Sequence, residues 1–257
     1  MNFYIFSQKI EEVQELIDHH YSGILLIYSN SLTDFFTQIA RTIDLNQDFK
    51  YMVAVRPYSI SPQYLFRIND SINNIDKDRL KINIVSGAPD NNKLDSGGVL
   101  GEVNDDSSPI EKSNYLIKYV DLLENPNKNI PDYYVSVRNK SMVDETLRHN
   151  SKLLISYEDY RDKKYNTENR DVMVHIWVIL RETKHELNNL RNEYSKKFLG
   201  PVVPNYLTHK EFEDILIELK NKKINEFLFY TFWDEKERKI INNFVKKYKE
   251  KELILNK

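Results

Sequence analysis

The sequence predicts an α/β protein folded as a (β/α)8 TIM barrel, and three observations carry that expectation. Eight short apolar runs alternate with segments of helical spacing along the whole chain, as parallel strands joined by crossover helices do. Several runs, such as GILLIYS (23–29), are apolar almost throughout, which suits strands buried on both faces. No glycine-rich phosphate loop follows the first run, which weighs against an open dinucleotide-binding sheet. Right-handed crossovers allow either an open doubly wound sheet or a closed barrel, and the count of eight favours closure.

NFYIFS (2–7) reads as the first strand and IEEVQELIDHH (10–20) as its helix, with Ile10, Val13, Leu16 and Ile17 at helical spacing. GILLIYS is strand two, and LTDFFTQIARTI (32–43) is a helix that Thr33 or Asp34 can cap. YMVAVR (51–56) is strand three. In the next helix, SPQYLFRINDSINNI (61–75), Ser61 suits the N-cap and Pro62 the first helical position, where its missing N–H costs nothing. LKINIVS (80–86) is strand four. The pattern then lapses into a long polar excursion, GAPDNNKLDSGGVLGEVNDDSSP (87–109), which holds four of the six glycines. Alternation resumes with a helix (111–123), strand DYYVSV (132–137), helix KSMVDETLRH (140–149) and strand KLLISY (152–157). A long strand, VMVHIWVIL (172–180), precedes helices over 182–198 and 208–224. Strand eight is EFLFYTF (226–232), and the last helix spans 234–252 with Ile240, Ile241, Phe244, Val245 and Tyr248 as its apolar face.

A chain of 257 residues can bury a large core as one domain, 1–257. The net charge of −2 offers no footprint for nucleic acid. The absence of cysteine rules out disulfides and thiolate chemistry and fits a reducing compartment. The apolar stretch of MNFYIFSQKIEEV is too short for a signal peptide, and no run reaches the length of a membrane span. A cytoplasmic protein without a membrane partner is the expectation. Asp18-His19-His20 places adjacent histidines on one helix about 100° apart, a poor geometry for a metal. Lys246, Lys247, Lys249 and Lys251 read as a solvated face.

The stretch VAVRPYSISP (53–62) raises the functional question, because a buried strand ends there on a guanidinium. In a (β/α)8 barrel the strand ends line the ligand-binding mouth. Arg56 therefore either binds an anionic or carbonyl-rich ligand through its fork of donors or pairs with a neighbouring loop at the rim.

Residues 54–87, AVRPYSISPQYLFRINDSINNIDKDRLKINIVSG, resemble the strand-three to strand-four unit of bacterial-luciferase-like flavin monooxygenases. The resemblance is to the alkanesulfonate monooxygenase-like branch, whose pattern is AVRP, ISP, a helix and then RL-x-x-N-(I/V)-V-(T/S)-G. Weaker similarities run through GILLIYSNSLTDFF, YYVSVRNKSMVDETLRHNSKLLISYE, VHIWVILRETKHEL and NKKINEFLFYTF. The resemblance implies a barrel that holds reduced FMN non-covalently at its mouth and uses O2 as co-substrate on a sulfonate- or aldehyde-like molecule. It implies a separate NAD(P)H:FMN reductase as electron donor, and pairing into a homodimer through the helices beside strands two and three.

Carried over residue by residue, Ser86 matches the Ser or Thr that lies against the isoalloxazine in the family, and Arg56 joins it as a cofactor ligand. Asn83 belongs to the same motif and is expected to support the barrel by hydrogen bonds. The family's Gly-Gly-Ser-Ser phosphate turn corresponds to Ser136, Val137, Arg138 and Asn139, where the resemblance implies either that Arg138, with Asn139, takes the phosphate by a charge-assisted bond or that the loss of both glycines closes the backbone pocket. The family's DHDERY-like segment corresponds to NDDSSP (104–109), which carries neither the His nor the Tyr. Where relatives carry Arg-x-His in strand seven, this chain has His175, Ile176 and Trp177. His175 is the candidate general acid or base, with a packed core histidine as the competing reading. Tyr28, Trp177 and Tyr230 are candidate pocket walls, and no metal ligand is assigned. A cysteine after strand two is absent, with Leu32 nearby, and the lid region FLGPVVPNYLTHKEF is short. These departures keep open an alternative, a catalytically degenerate barrel that binds flavin or a partner.

Overall fold

The computed structural model describes residues 1–7, 9–27, 34–57, 60–85, 108–124, 130–137, 151–168, 170–194, 204–230 and 235–255. Nine parallel strands are present among them: β1 (Asn2–Ser7), β2 (Gly23–Ile27), β3 (Lys50–Val55), β4 (Leu80–Ile84), β5 (Asp132–Ser136), β6 (Lys152–Ser156), β7 (Val172–Arg181), β8 (Asn205–Thr208) and β9 (Glu226–Tyr230). Eight of them close a ring in the order β1-β2-β3-β4-β5-β6-β7-β9. Closure runs through Leu154↔Met173 between β6 and β7, His175↔Leu228 between β7 and β9, and Tyr4↔Leu228 between β9 and β1. A closed ring leaves no edge in the barrel to pair with another chain.

The helices are α1 (Val13–Asp18), α2 (Phe35–Thr42), α3 (Pro62–Ile75), α4 (Pro109–Leu123), α5 (Tyr157–Arg161), α6 (Lys184–Tyr194), α7 (His209–Asn221) and α8 (Glu235–Leu255). Side-chain caps open several of them, including both that the sequence predicts. Asp34, one of the two candidates, caps α2 by accepting from the Phe36 N–H. Ser61 caps α3 with Pro62 at its first position. Ser108 with Glu111, and Thr208 with Glu211, form reciprocal capping boxes on α4 and α7.

Alternation along each strand sorts the side chains into two cores. Outward residues such as Phe3, Ile5, Val53, Ile82, Val174 and Phe227 pack under the helices. Inward residues, including Leu25, Met52, Leu154, Met173 and Leu228, fill the bore. Arg79 is fully buried between the loops leading into β3 and β4, where its Nε donates to the Phe49 carbonyl at 2.8 Å and its fork meets Asp76.

Four differences from the sequence expectations have physical causes. Residues 10–18 form a 3-10 turn (Ile10–Glu12) leading into the short α1 rather than one continuous helix. α5 buries no residue, so it left no periodic signal. β8 pairs outside the ring with the far half of β7, Ile179 opposite Tyr206, in only four residues. Finally, Lys249 is not on a solvated face: its ammonium lies 5.6 Å from the centre of the Phe3 ring, and burial pushes it below the usual lysine range. The excursion over 87–107 and the helix expected at 140–149 lie outside the described residues.

Candidate active site

Because all strands run parallel, the loops that follow them share one rim, the mouth of the barrel. Arg56 follows directly on β3 and is half-buried, and the alternation Met52, Ala54, Arg56 carries it to the inner side. Beside it, Asn83 of β4 is buried and accepts a hydrogen bond from Ser136 of β5 at 2.9 Å, the supporting role expected of it. Ser156 ends β6, caps α5 and pairs in register with His175. These residues make one arc of the mouth, β3 to β6, polar.

The opposite arc is aromatic. His175 and Trp177 occupy inward positions on β7, with Trp177 in register opposite Tyr230 at the end of β9. The His175 ring lies 5.5 Å from the Tyr230 ring at a 50° tilt, and Tyr230 stacks on Phe6 of β1 at 5.1 Å with the planes 3° apart. Three strands separate β3 from β7 in either direction around the ring, so Arg56 faces the His175 wall across the bore. Of the sequence-predicted residues, the structure thus brings His175, Trp177 and Tyr230 together and sets Arg56 opposite them. Tyr28, Ser86, Arg138 and Asn139 lie outside the described residues.

Two ion-pair clamps hold the aromatic arc in place. Glu237, in the first turn of α8, is almost fully buried and takes Arg181 at the end of β7, with Tyr194 donating to the same carboxylate at 3.2 Å. The bond to Glu237 pushes Arg181 above the usual arginine value. The next residue, Arg238, pairs with Glu12 just after β1 at 2.7 Å, and Ser7 donates to Glu12. Consecutive residues of α8 therefore tie β7 and β1 together over β9.

Beneath the mouth, the bore is closed by charge. Lys81 of β4 meets Glu226 of β9 at 2.9 Å, and those strands are also diametrically opposed, so the bridge spans the lumen. Tyr134 and Tyr4 donate to the same Glu226 carboxylate, while Asp132 lies 3.1 Å from Lys81 and 2.8 Å from Lys152. The Lys81 ammonium sits 5.5 Å and 5.3 Å from the centres of the Tyr4 and Tyr134 rings. A cleft of about 420 Å3 opens at this N-terminal rim, lined by Tyr4, Lys50, Lys81, Glu226 and Lys249 among others. That end of such barrels serves stability, whereas chemistry sits at the mouth.

Sequence reasoning missed Phe6, the clamps and the strut. The signal for the strut was a charge inside each of two apolar runs, Lys81 in LKINI and Glu226 in EFLFY. Phe6 was legible from its alternation with Tyr4.

No protein-family model matches the chain. Among solved structures, apo-MsnO8 is similar with a TM-score of 0.68 at 12% identity, over 97% of this chain and 98% of that one. The barrel has the luciferase-like fold. Two further luciferase-like structures are similar to it. The EDTA monooxygenase EmoA from Chelativorans sp. BNC1 has a TM-score of 0.66 at 10% identity, covering 96% of this chain and 93% of that one. The long-chain alkane monooxygenase LadA has a TM-score of 0.65 at 9% identity, covering 98% and 91%. In the luciferase-like barrel, no helix of the described residues is long and apolar enough to cross a membrane.

Proposed function

We propose that the chain is an oxidoreductase of the luciferase-like kind, an FMNH2-dependent monooxygenase acting with O2 on a small sulfonate- or aldehyde-like organic molecule. A separate NAD(P)H:FMN reductase supplies the reduced cofactor in the cytoplasm. The observation that carries this reading is the division of the mouth into a polar arc with Arg56 and a facing aromatic arc with His175. The donor set fits a flavin on the polar arc, with a guanidinium for an anionic or carbonyl group and serine hydroxyls, and leaves the facing rings to the substrate. Reduced FMN, when bound, supplies the electrons that activate dioxygen. Arg56 anchors it from β3, and in this reading Ser86, Arg138 and Asn139 complete its binding. His175 holds or delivers a proton through its imidazole. Trp177 and Tyr230, with Tyr28, cover the reacting centre and exclude water.

Anaerobic titration with reduced FMN tests this reading. Binding in the micromolar range, weakened about tenfold by Arg56→Ala, is expected; no binding of oxidised or reduced FMN at high micromolar concentration removes it. A second reading is favoured by Trp177, which stands where the resemblance calls for a histidine: a barrel that binds flavin or a partner without turnover. Flavin binding with no substrate-dependent oxygen consumption, reductase and NADH being supplied, selects it.

A further inference from the structure

We propose that the aromatic arc selects a planar aromatic substrate over an alkyl sulfonate. The inference rests on the reading of the mouth as the substrate-binding end and narrows the substrate class given there. Phe6 is 8% exposed and Tyr230 39%, so the parallel stack backs Tyr230 against the wall and leaves the residue partly exposed at the mouth. His175 meets that ring at 50° and so turns a corner. A flat surface beside a tilted ring accommodates one planar guest by stacking on the first and meeting the edge of the second.

Charge points the same way. The inward described positions of β7, β9 and β1, up to Trp177 and Tyr230, hold no lysine or arginine, and at their base Glu226 is neutralised by Lys81. Arg181, beyond the ring on β7, is already bound by Glu237. A sulfonate on this arc would face the negative π surfaces of Phe6 and Tyr230 with no lysine or arginine among the inward described positions of that wall, Arg56 lying across the bore. An alkyl chain would bury similar area but gain no ring–ring geometry.

Isothermal calorimetry on the full chain, with and without saturating FMN, tests the inference with three probes of comparable size: naphthalene-2-methanol, 1-octanol and 1-octanesulfonate. The aromatic alcohol is expected to bind about tenfold more tightly than octanol, with octanesulfonate weakest. Tyr230→Leu lowers aromatic binding about tenfold and leaves octanol within about twofold. Because Tyr230 is exposed, this variant keeps its core, which circular dichroism verifies; Phe6→Leu is the harsher companion. Equal or tighter binding of octanol or octanesulfonate, no binding of any probe, or a Tyr230→Leu variant that binds the aromatic probe normally overturns the proposal. The cofactor reading fails separately, by loss of FMN binding with the aromatic preference intact.

Discussion

Replacing Lys81 with methionine removes the ammonium from the barrel floor while keeping nearly the same stem. Lys81 is 8% exposed, and its charge answers Glu226 at 2.9 Å across the bore. The variant leaves that carboxylate with the hydroxyls of Tyr134 and Tyr4 but no counter-charge. Asp132 loses less, because it keeps Lys152 at 2.8 Å and is about a third exposed. Breaking one side of a buried pair costs about 3 kcal/mol. Unfolding entropy of about 2.1 cal/mol/K per residue, over 257 residues, converts that into a fall in Tm of about 6 °C. Glu226→Gln alone is the milder change, since Lys81 keeps Asp132 at 3.1 Å. The double variant Lys81→Met/Glu226→Gln strands neither, so a double-mutant cycle by thermal or urea unfolding gives a coupling of about 2 kcal/mol. A Lys81→Met protein as stable as the parent, or two single effects that simply add, refutes the transverse ion pair as the element that closes the floor.

Two further outcomes are expected. Gly23→Ala places a β-carbon 2.5 Å from the Lys50 carbonyl oxygen and 2.6 Å from the Tyr4 ring, so the start of β2 must shift; thermal melts should show a loss of about 1–3 kcal/mol, and an unchanged Tm contradicts the close approach. Burial raises the hydroxyls of Tyr4, Tyr21, Tyr119 and Tyr134 above their ordinary value near 10, and lifts Tyr248 to about 12. Above pH 10 the unfolded chain releases protons that the folded one retains, so stability is whole below that pH and falls as pH rises through the folded values. The buried share of the tyrosinate absorbance should therefore appear only together with loss of circular dichroism; complete ionisation near pH 10 with the native spectrum intact counts against those burials.

The eight barrel strands were legible because each carries a short apolar run bounded by turn residues, and Ser61-Pro62 announced its helix by chemistry that acts within a single turn. β8 and α5 were not, because four residues with one buried tyrosine, and five with none buried, carry no period. The candidate site was legible in part. His175, Trp177 and Tyr230 lie on strands whose alternation fixes their side, and Arg56 follows from where β3 stops. The Arg181–Glu237 and Arg238–Glu12 clamps were illegible, since they join residues 56 and 226 positions apart in the chain through contacts that only the ring closure creates. Lys249 misled because a run of lysines near a helix end looks solvated, and only the docking of α8 on the chain start buries its stem.

With the bore filled by Leu25, Met52, Leu154, Met173 and Leu228 and the lysine–glutamate bridge beneath them, the barrel is a cup, not a tube. Whatever settles on the rings of β7, β9 and β1 has charge and tyrosine hydroxyls beneath it, and it must depart through the doorway by which it came. Under the proposed function, entry and exit therefore share the one mouth.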